Sequence, residues 1–396
     1  MSQKPGAGKR VILGMSGGVD SSVAAYLLKE QGYDVLGLFM KNWDETDENG
    51  DCPASLDYLD VQKVAAQLDI PCYSIEFIEE YRDHVFADFV ASYKAGYTPN
   101  PDVLCNREIK FDLFWKKAIE FGCDYLATGH YCRTQERASP APNGATHDLI
   151  RAIDSNKDQT YFLTAVKGEI FNRVLFPIGN LPKPEVREIA KRLGLATHAK
   201  KDSTGICFIG ERKFKSFLNQ YVETKPGRIV NLKAEKVGMH DGIAFFTLGQ
   251  RKGLGIGGEG SDVEPYFVVE KRKEANELVV ARGLDHPALH SRYLIAKEMN
   301  WFAGETPKLD SENKFKCSAK SRYRQVDQAC TVTVIENGLG GTVNGGVIRV
   351  DFDEPQRALT PGQYAVLYSG EVCLGGGVIH EVGPSLYSET REKIDL

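Results

Sequence analysis

No stretch of this sequence approaches the eighteen or so consecutive apolar residues that a membrane-spanning helix requires. The opening MSQKPGAGKR has neither the apolar core of a secretory signal nor the Arg/Ser pattern of a transit peptide, so a cytoplasmic protein with no membrane partner is expected. The 9 cysteines among 396 residues include no C-x-x-C pair. That removes the usual zinc and thioredoxin spacings, and cysteines this sparse are no disulfide scaffold. A cysteine with a role here works by reactivity. The 8 histidines show no metal-ligand spacing, so no protein-built metal site is expected. A surplus of positive charge is also missing. The net charge of -5 argues against indiscriminate nucleic-acid binding but leaves room for local clusters. Two exist, AKKDSTGICFIGERKFK (199–215) and NKFKCSAKSRYR (313–324), and each taken alone reads as a solvated face.

What is present is enough apolar material, 42% of residues, for a large core and two or three domains. Short apolar strands alternate with helical patterns at first. RVILGM reads as strand, DSSVAAYLLKEQG as helix and DVLGLFM as the next strand. SLDYLDVQKVAAQLD carries Leu56, Leu59, Val64 and Leu68 as its apolar face, and CYSIEF returns as strand. YRDHVFADFVASYKAG, REIKFDLFWKKAIEFG and PKPEVREIAKRLG continue as helices, DYLATGHY as strand, and RASPAPNGATH (137–147) as a turn-rich excursion. This predicts an α/β fold with a doubly wound parallel sheet over residues 1–210. Short glycine-separated β runs follow, predicting a small central β-rich domain at 211–286 and a C-terminal antiparallel β-barrel at 287–396.

GMSGGVDSS (14–22) links the first strand to the first helix. A strand, a glycine-rich turn and a helix N-terminus aim backbone N–H groups and a positive dipole end at one spot, which suits phosphate. The lysine of a Walker A loop and the G-x-G-x-x-G of a dinucleotide fingerprint are both missing. Ser16, Ser21 and Ser22 add hydroxyls, Gly17 and Gly18 permit close approach, and Asp20 is placed to orient a cation or the loop itself. GIGGEG (255–260) has no clear helix after it and reads as a β turn.

TPNPDVLCNREIKF (98–111) reads as a rigid extended loop that delivers Asp102 and Cys105 ahead of a helix beginning near Arg107. The dipole of that helix, with Arg107 and Lys110, would favour a Cys105 thiolate. Lys200, Lys201, Arg212 and Lys213 would do the same for Cys207. Either cysteine alone is more simply a buried core residue, and the two in these contexts raise the chemical reading.

The phosphate loop S-G-G-x-D-S resembles that of the PP-loop ATP pyrophosphatases, which adenylate a carbonyl oxygen and use ATP with magnesium. The strings GMSGGVDSS, GLFMKNW, TPNPDVLCNREIKF, ATGHY, KDQTYFL, DSTGICFIG, TLGQRKGLGIGG and SAKSRYRQ resemble, in this order, the bacterial tRNA 2-thiouridylase family, from about residue 10 to about residue 380. The visible departures lie in the termini and in RASPAPNGATHD. That resemblance implies ATP-dependent replacement of the C2 oxygen of a wobble uridine by sulfur received as a persulfide. It implies two partners, tRNA and a persulfide-donating sulfur-relay protein. On it, Gly14, Met15, Ser16, Gly17, Gly18, Val19, Asp20 and Ser21 form the phosphate loop, and Met40 and Gly129 contact the nucleotide. Cys207 would receive the sulfur, while Cys105 would help release it and close a disulfide afterwards. Asn100, Pro101 and Asp102 would face the target base, with Asp102 as acid/base group. His130, Lys157, Asp158, Gln159, Arg322, Tyr323 and Gln363 would contact tRNA. The basic strip KFKCSAKSRYR then gains a purpose, with lysine and arginine on phosphates and Tyr323 stacking. Two other readings stand beside this one: another adenylating enzyme, such as a lysidine synthetase or small-molecule ligase, and a non-catalytic tRNA-binding protein. An amine nucleophile would need neither Cys105 nor Cys207. ATP-dependent pyrophosphate release would exclude the non-catalytic protein.

Overall fold

The computed structural model describes residues 4–44, 52–202, 214–257, 264–338 and 344–394. In chain order the N-terminal part supplies β1 (Arg10–Met15), β2 (Asp34–Lys41), β3 (Cys72–Glu76), β4 (Tyr125–Thr128), a hairpin of β5 (Cys132–Glu136) and β6 (His147–Arg151), and the two-residue β7 (Val174–Leu175). Its main sheet runs β3-β2-β1-β4-β7, all parallel. The apolar run of β1 follows from cover on both faces. Val11, Leu13 and Met15 pack on α1 (Val19–Glu30), α2 (Pro53–Leu68) and α5 (Lys183–Arg192). Ile12 belongs to the opposite core, with α3 (78–94) and α4 (101–120), both of which contain a π-helical stretch. Strand order reverses between β1 and β4, the place where doubly wound sheets bind ligands.

The apolar face expected for α2 is corrected. Val61, Val64 and Ala65 are buried, whereas Leu56 and Leu59 are half exposed. The stripe that meets the sheet passes through Tyr58 and Leu68 at three- and four-residue spacing, and Leu56 and Leu59 lie off it.

The middle part is a four-stranded sheet of β8 (Gly227–Asn231), β9 (Lys236–His240), β10 (Tyr266–Arg272) and β11 (Glu277–Arg282), in the order β10-β11-β8-β9. The last part holds β12 (His290–Trp301), β13 (Lys314–Lys320), β14 (Gln328–Glu336), β15 (Val347–Arg357), β16 (Tyr364–Ser369) and β17 (Val372–Val382). These run β12-β15-β14-β13-β16-β17, and antiparallel pairing of β12 with β17 closes them into a barrel. The segment 137–147 is the connection within the β5–β6 hairpin, which joins the barrel sheet where Ile150 pairs with Val372. No described helix is long and apolar enough to cross a membrane.

Candidate active site

The turn after β1 stands at the strand-order reversal. Gly17 has φ +71°, and a Cβ there would lie 2.5 Å from the Asp57 carbonyl oxygen of α2. Only glycine takes that conformation without strain, so the loop lies flat against α2. A Cβ on Gly129, just after β4, would lie 2.9 Å from the Ser21 nitrogen. The two ligand-side strand ends therefore meet backbone to backbone. Helix α1 has no side-chain cap at its N-terminus, which leaves its first N–H groups for a ligand. The serines divide their work. Ser21 Oγ accepts from the Ser16 N–H at 3.2 Å and donates to the Gly18 carbonyl at 3.2 Å. Ser22 donates to the same carbonyl at 2.8 Å and accepts from Thr197 at 2.9 Å. The Ser21 and Ser22 hydroxyls, both expected as ligand donors, donate to the loop's own Gly18 carbonyl and brace it. Met40 sits half-buried at the end of β2.

Asp20 is already paired with a cation from the protein itself. Lys183 Nζ lies 2.7 and 2.8 Å from its two oxygens, and the Tyr131 hydroxyl donates to it at 2.8 Å. The same ammonium reaches Asp202 at 2.9 Å, which Lys157 and Arg187 also hold at 2.6 and 2.5 Å. Burial pushes the Asp202 carboxyl up, but hydrogen bonds from Lys157 and Lys183 outweigh it and hold the group down at about 2. Lys200, expected to act on Cys207, pairs with Asp57 at 2.7 Å and Asp60 at 2.8 Å. Cys207 lies outside the described residues. Among the described residues before and after it in the chain, Asp202 belongs to this ion-pair network and Phe217 packs against Trp43 and Phe86.

A stability prediction follows from Asp202. Its folded pKa lies below the ordinary 3.8, so its contribution is fully present above that value and lost as pH falls towards 2. Acid unfolding of an Asp202→Asn variant, followed by circular dichroism, should lack a pH-dependent loss of about 1 to 2 kcal/mol over that range.

The second group lies on α4. Asn100 stands at the N-cap position, without a side-chain cap bond, of a helix that begins at Pro101 and runs on through a π-helical stretch from Cys105. The expected helix start near Arg107 is therefore corrected. Cys105 stands in the second turn with its N–H bonded to the Pro101 carbonyl, and it is buried. Proline at a first helical position lacks only an N–H that would be unpaired anyway, so Asn-Pro here opens a helix rather than extending a loop. Asp102, in the first turn, has its carboxyl raised above the ordinary range by burial, against a smaller opposing effect of Lys110. The part-buried His130 accepts from or donates to Thr128 Oγ1 at 2.8 Å, and burial together with the charge of Lys110 holds its imidazole neutral. Lys110 thus relates Asp102 to His130, beside the phosphate-loop neighbour Gly129.

All three parts of the chain meet at the start of this helix. Gln363 donates to the Thr98 carbonyl at 2.7 Å, Thr98 N–H donates to Pro361 at 3.2 Å, and the Thr98 hydroxyl is 3.2 Å from that of Thr247. Lys271 of β10 donates to Gly96 at 3.1 Å. Tyr323 packs on Phe162 with ring centroids 4.5 Å apart, and the Phe162 carbonyl accepts from Asn106 of α4 at 2.9 Å.

Several residues expected to contact tRNA have inward partners. Asp158 is buried and accepts from Thr160 Oγ1 at 2.8 Å and Ala152 N–H at 3.1 Å. Gln159 accepts from the Tyr131 N–H at 2.8 Å. Arg322 donates to the carbonyls of Leu248 and Ala358 at 2.8 and 2.7 Å and to Thr360 Oγ1 at 2.7 Å, joining the middle part to the barrel. The strip 313–324 is not one basic face. Lys320 is buried near Asp158, and Lys316 and Arg324 are its exposed cations. Lys314, Lys316 and Lys320 share one face of β13, and Lys320 is buried where that face meets Asp158 and Tyr368, which a count of charges does not register.

Comparison with known proteins bears on what this arrangement is. A family model described as "tRNA methyl transferase HUP domain" matches residues 9–211, and models described as a PRC-barrel domain and an aminomethyltransferase β-barrel domain match 215–282 and 291–379. The chain is 52% identical over 385 residues to the tRNA-specific 2-thiouridylase MnmA of Protochlamydia amoebophila, covering 97% of this chain and 96% of that one. It is 54% identical over 373 residues to that of Alkaliphilus oremlandii, covering 94% and 97%. The chain belongs to the tRNA-specific 2-thiouridylase family. In this thiouridylase, Lys183, Asp202 and Tyr131 are the site residues that sequence reasoning missed. A lysine at a helix N-terminus opposes the helix dipole and is favoured beside an anion, and the PKPE string carries that signal. The fit of magnesium to the protein is negative. Lys183 occupies the Asp20 carboxylate, and no described group of three or more His, Cys, Asp or Glu is placed to hold a metal.

Proposed function

We propose that the protein is an ATP-dependent tRNA 2-thiouridylase acting in the cytoplasm on the wobble uridine. The observation that carries this reading is the pairing of an uncapped phosphate loop at the strand-order reversal with a half-buried Asp102, its carboxyl raised by burial, in the first turn of a helix whose start is gripped by all three parts of the chain. ATP would bind with its β and γ phosphates on residues 14–21 and its base near Met40 and Gly129. Magnesium would arrive on the triphosphate.

The C2 oxygen of the base attacks the α phosphorus, pyrophosphate leaves, and C2 carries AMP. Adenylation matters because a bare carbonyl oxygen is a poor leaving group, whereas AMP is a good one. Sulfur then displaces AMP, either as the terminal sulfur of a Cys207 persulfide or as hydrosulfide that Cys105 releases from it. In both routes Cys105 ends bonded to Cys207, and a thiol reductant restores the pair. Asp102 exchanges a proton with the base as its charge changes, a task suited to a carboxyl whose pKa is raised by burial. An anticodon base lies in a single-stranded loop and can be turned outward into a pocket. Asn100 and Pro101 would face it, with His130, Lys157, Tyr323 and the exposed Lys316 and Arg324 towards the RNA. A sulfur-relay protein would load Cys207.

The test is thiolation in vitro with unmodified tRNA, ATP, magnesium and a persulfide source. Cys207→Ser and Cys105→Ser should each abolish 2-thiouridine by nucleoside mass spectrometry while pyrophosphate release persists. Normal thiolation by either variant would make that cysteine structural.

A further inference from the structure

We infer that Cys317 and Cys330 form a reversible dithiol–disulfide couple, a modification site outside the phosphate loop and the Cys105 helix, that staples β13 to β14 beneath the turn carrying Arg322 and Tyr323. The two cysteines lie 13 positions apart in the chain and stand directly opposite each other in the antiparallel ladder. The pairing keeps one register from Lys314 to Ala319, so both side chains leave the same face of the hairpin. Their Sγ atoms are 3.6 Å apart. A disulfide needs about 2.05 Å, so each sulfur has less than about 1 Å to travel. Cys330 is buried in the barrel core, whereas Cys317 is half-buried at its edge and gives an oxidant a way in.

A single thiol in a core is ordinary packing, since free cysteine behaves as a small apolar residue. Here each sulfur has the other as its neighbour. The contact with Cys330, followed by burial, pushes the Cys317 thiol up, so it stays protonated at neutral pH and exchanges slowly. The equilibrium is a separate matter. Two thiols held side by side by the fold meet at a far higher effective concentration than a thiol in solution, and this favours the bridge. A small-molecule disulfide supplies the oxidant. Attack by the Cys317 sulfur gives a mixed disulfide and releases one small thiol. Attack by the Cys330 sulfur on Cys317 closes the bridge and releases the second. The protein loses two protons and two electrons, and the small disulfide takes up both.

The place of the pair gives the bridge its effect. Ser318 opposite Ala329 and Ala319 opposite Gln328 are the last rungs between it and the turn at 321–327. The turn is held by hydrogen bonds, with Ser318 donating to Asp327 at 2.6 Å and the Ser321 N–H to Gln325 at 2.9 Å. It supplies Arg322, which joins the barrel to the middle part, and Tyr323, which packs on Phe162. Hydrogen bonds of this kind open locally, and a covalent link at the base of the turn limits how far the strands can part. Oxidation therefore stabilises this end of the barrel.

The experiment equilibrates the full-length protein with mixtures of reduced and oxidised glutathione, alkylates the remaining thiols and maps tryptic peptides by mass spectrometry. Cleavage after Lys316, Lys320 and Arg324 puts the two cysteines in separate peptides, CSAK and 325–349. A bridge then reads as one linked species, two hydrogens lighter than the sum of the two. It should form reversibly, and opening it in the native protein should take a ratio of squared reduced to oxidised glutathione at least about tenfold higher than in urea. The oxidised protein should also unfold at higher urea than the reduced one, and Cys317→Ser should remove the part of that difference due to this pair. Thiols that remain alkylatable at every ratio, glutathione adducts on either cysteine in place of the link, or equal midpoints in native and unfolded protein would overturn the inference. Should Cys317→Ser fail to fold, the peptide map and midpoints of the wild type, which need no variant, decide the matter.

Discussion

An Asp102→Asn variant should lose about 10²- to 10⁴-fold in the rate of thiolation, the range that a positioned acid/base group contributes. The carboxyl and the amide are nearly the same size, so the first turn of α4 and its grip on the barrel should survive. Burial raises the Asp102 carboxyl, with Lys110 opposing, which moves it in the direction an acid/base role favours. Single-turnover kinetics on preformed enzyme–tRNA complex separate this from binding. The account expects the affinities for ATP and tRNA to hold while the rate falls. A variant that thiolates at the wild-type rate would leave Asp102 with no chemical role.

The second large effect is expected from a single methyl group. Gly17→Ala places a Cβ 2.5 Å from the Asp57 carbonyl oxygen in a backbone conformation with φ +71°, so either the loop lifts or α2 shifts. The conformational strain alone costs about 1 to 2 kcal/mol. If the N–H groups of these residues meet the phosphates as proposed, ATP affinity should fall by at least about tenfold. Gly129→Ala acts from the other side, since its Cβ meets the Ser21 nitrogen at 2.9 Å, and should weaken ATP in the same direction. Isothermal titration with ATP measures both. Unchanged affinity in either variant would show that the nucleotide does not depend on this backbone.

Different parts of this architecture were legible in the sequence to different degrees. The parallel sheet was readable because RVIL and DVLGLFM are short apolar runs separated by a helical pattern, a consequence of cover on both faces. The phosphate loop was readable because glycine and serine at those spacings act through the backbone, which needs no distant partner. Contacts with distant partners were not legible. Arg322, expected to contact tRNA, is held by Leu248, Ala358 and Thr360, and Asp158, expected likewise, is bonded by Thr160 and Ala152. Lys183 and Asp20 are far apart in sequence, and their pairing follows from α1 and α5 packing on one face of the sheet. Leu56 and Leu59 misled for a local reason: two apolar residues at helical spacing set a stripe that the sheet does not meet. In Asn100-Pro101 one signal carries two meanings, and the helix-opening one applies because the following residues can bury Val103 and Leu104.

The central claim is that ATP turns the C2 oxygen of the target base into a leaving group. The measurement that tests it most directly uses tRNA carrying ¹⁸O at C2 of the wobble uridine, with ATP, magnesium and a persulfide source, and mass spectrometry of the AMP formed. One ¹⁸O in AMP is expected for each 2-thiouridine produced. AMP carrying only ordinary oxygen, alongside full thiolation, would contradict it.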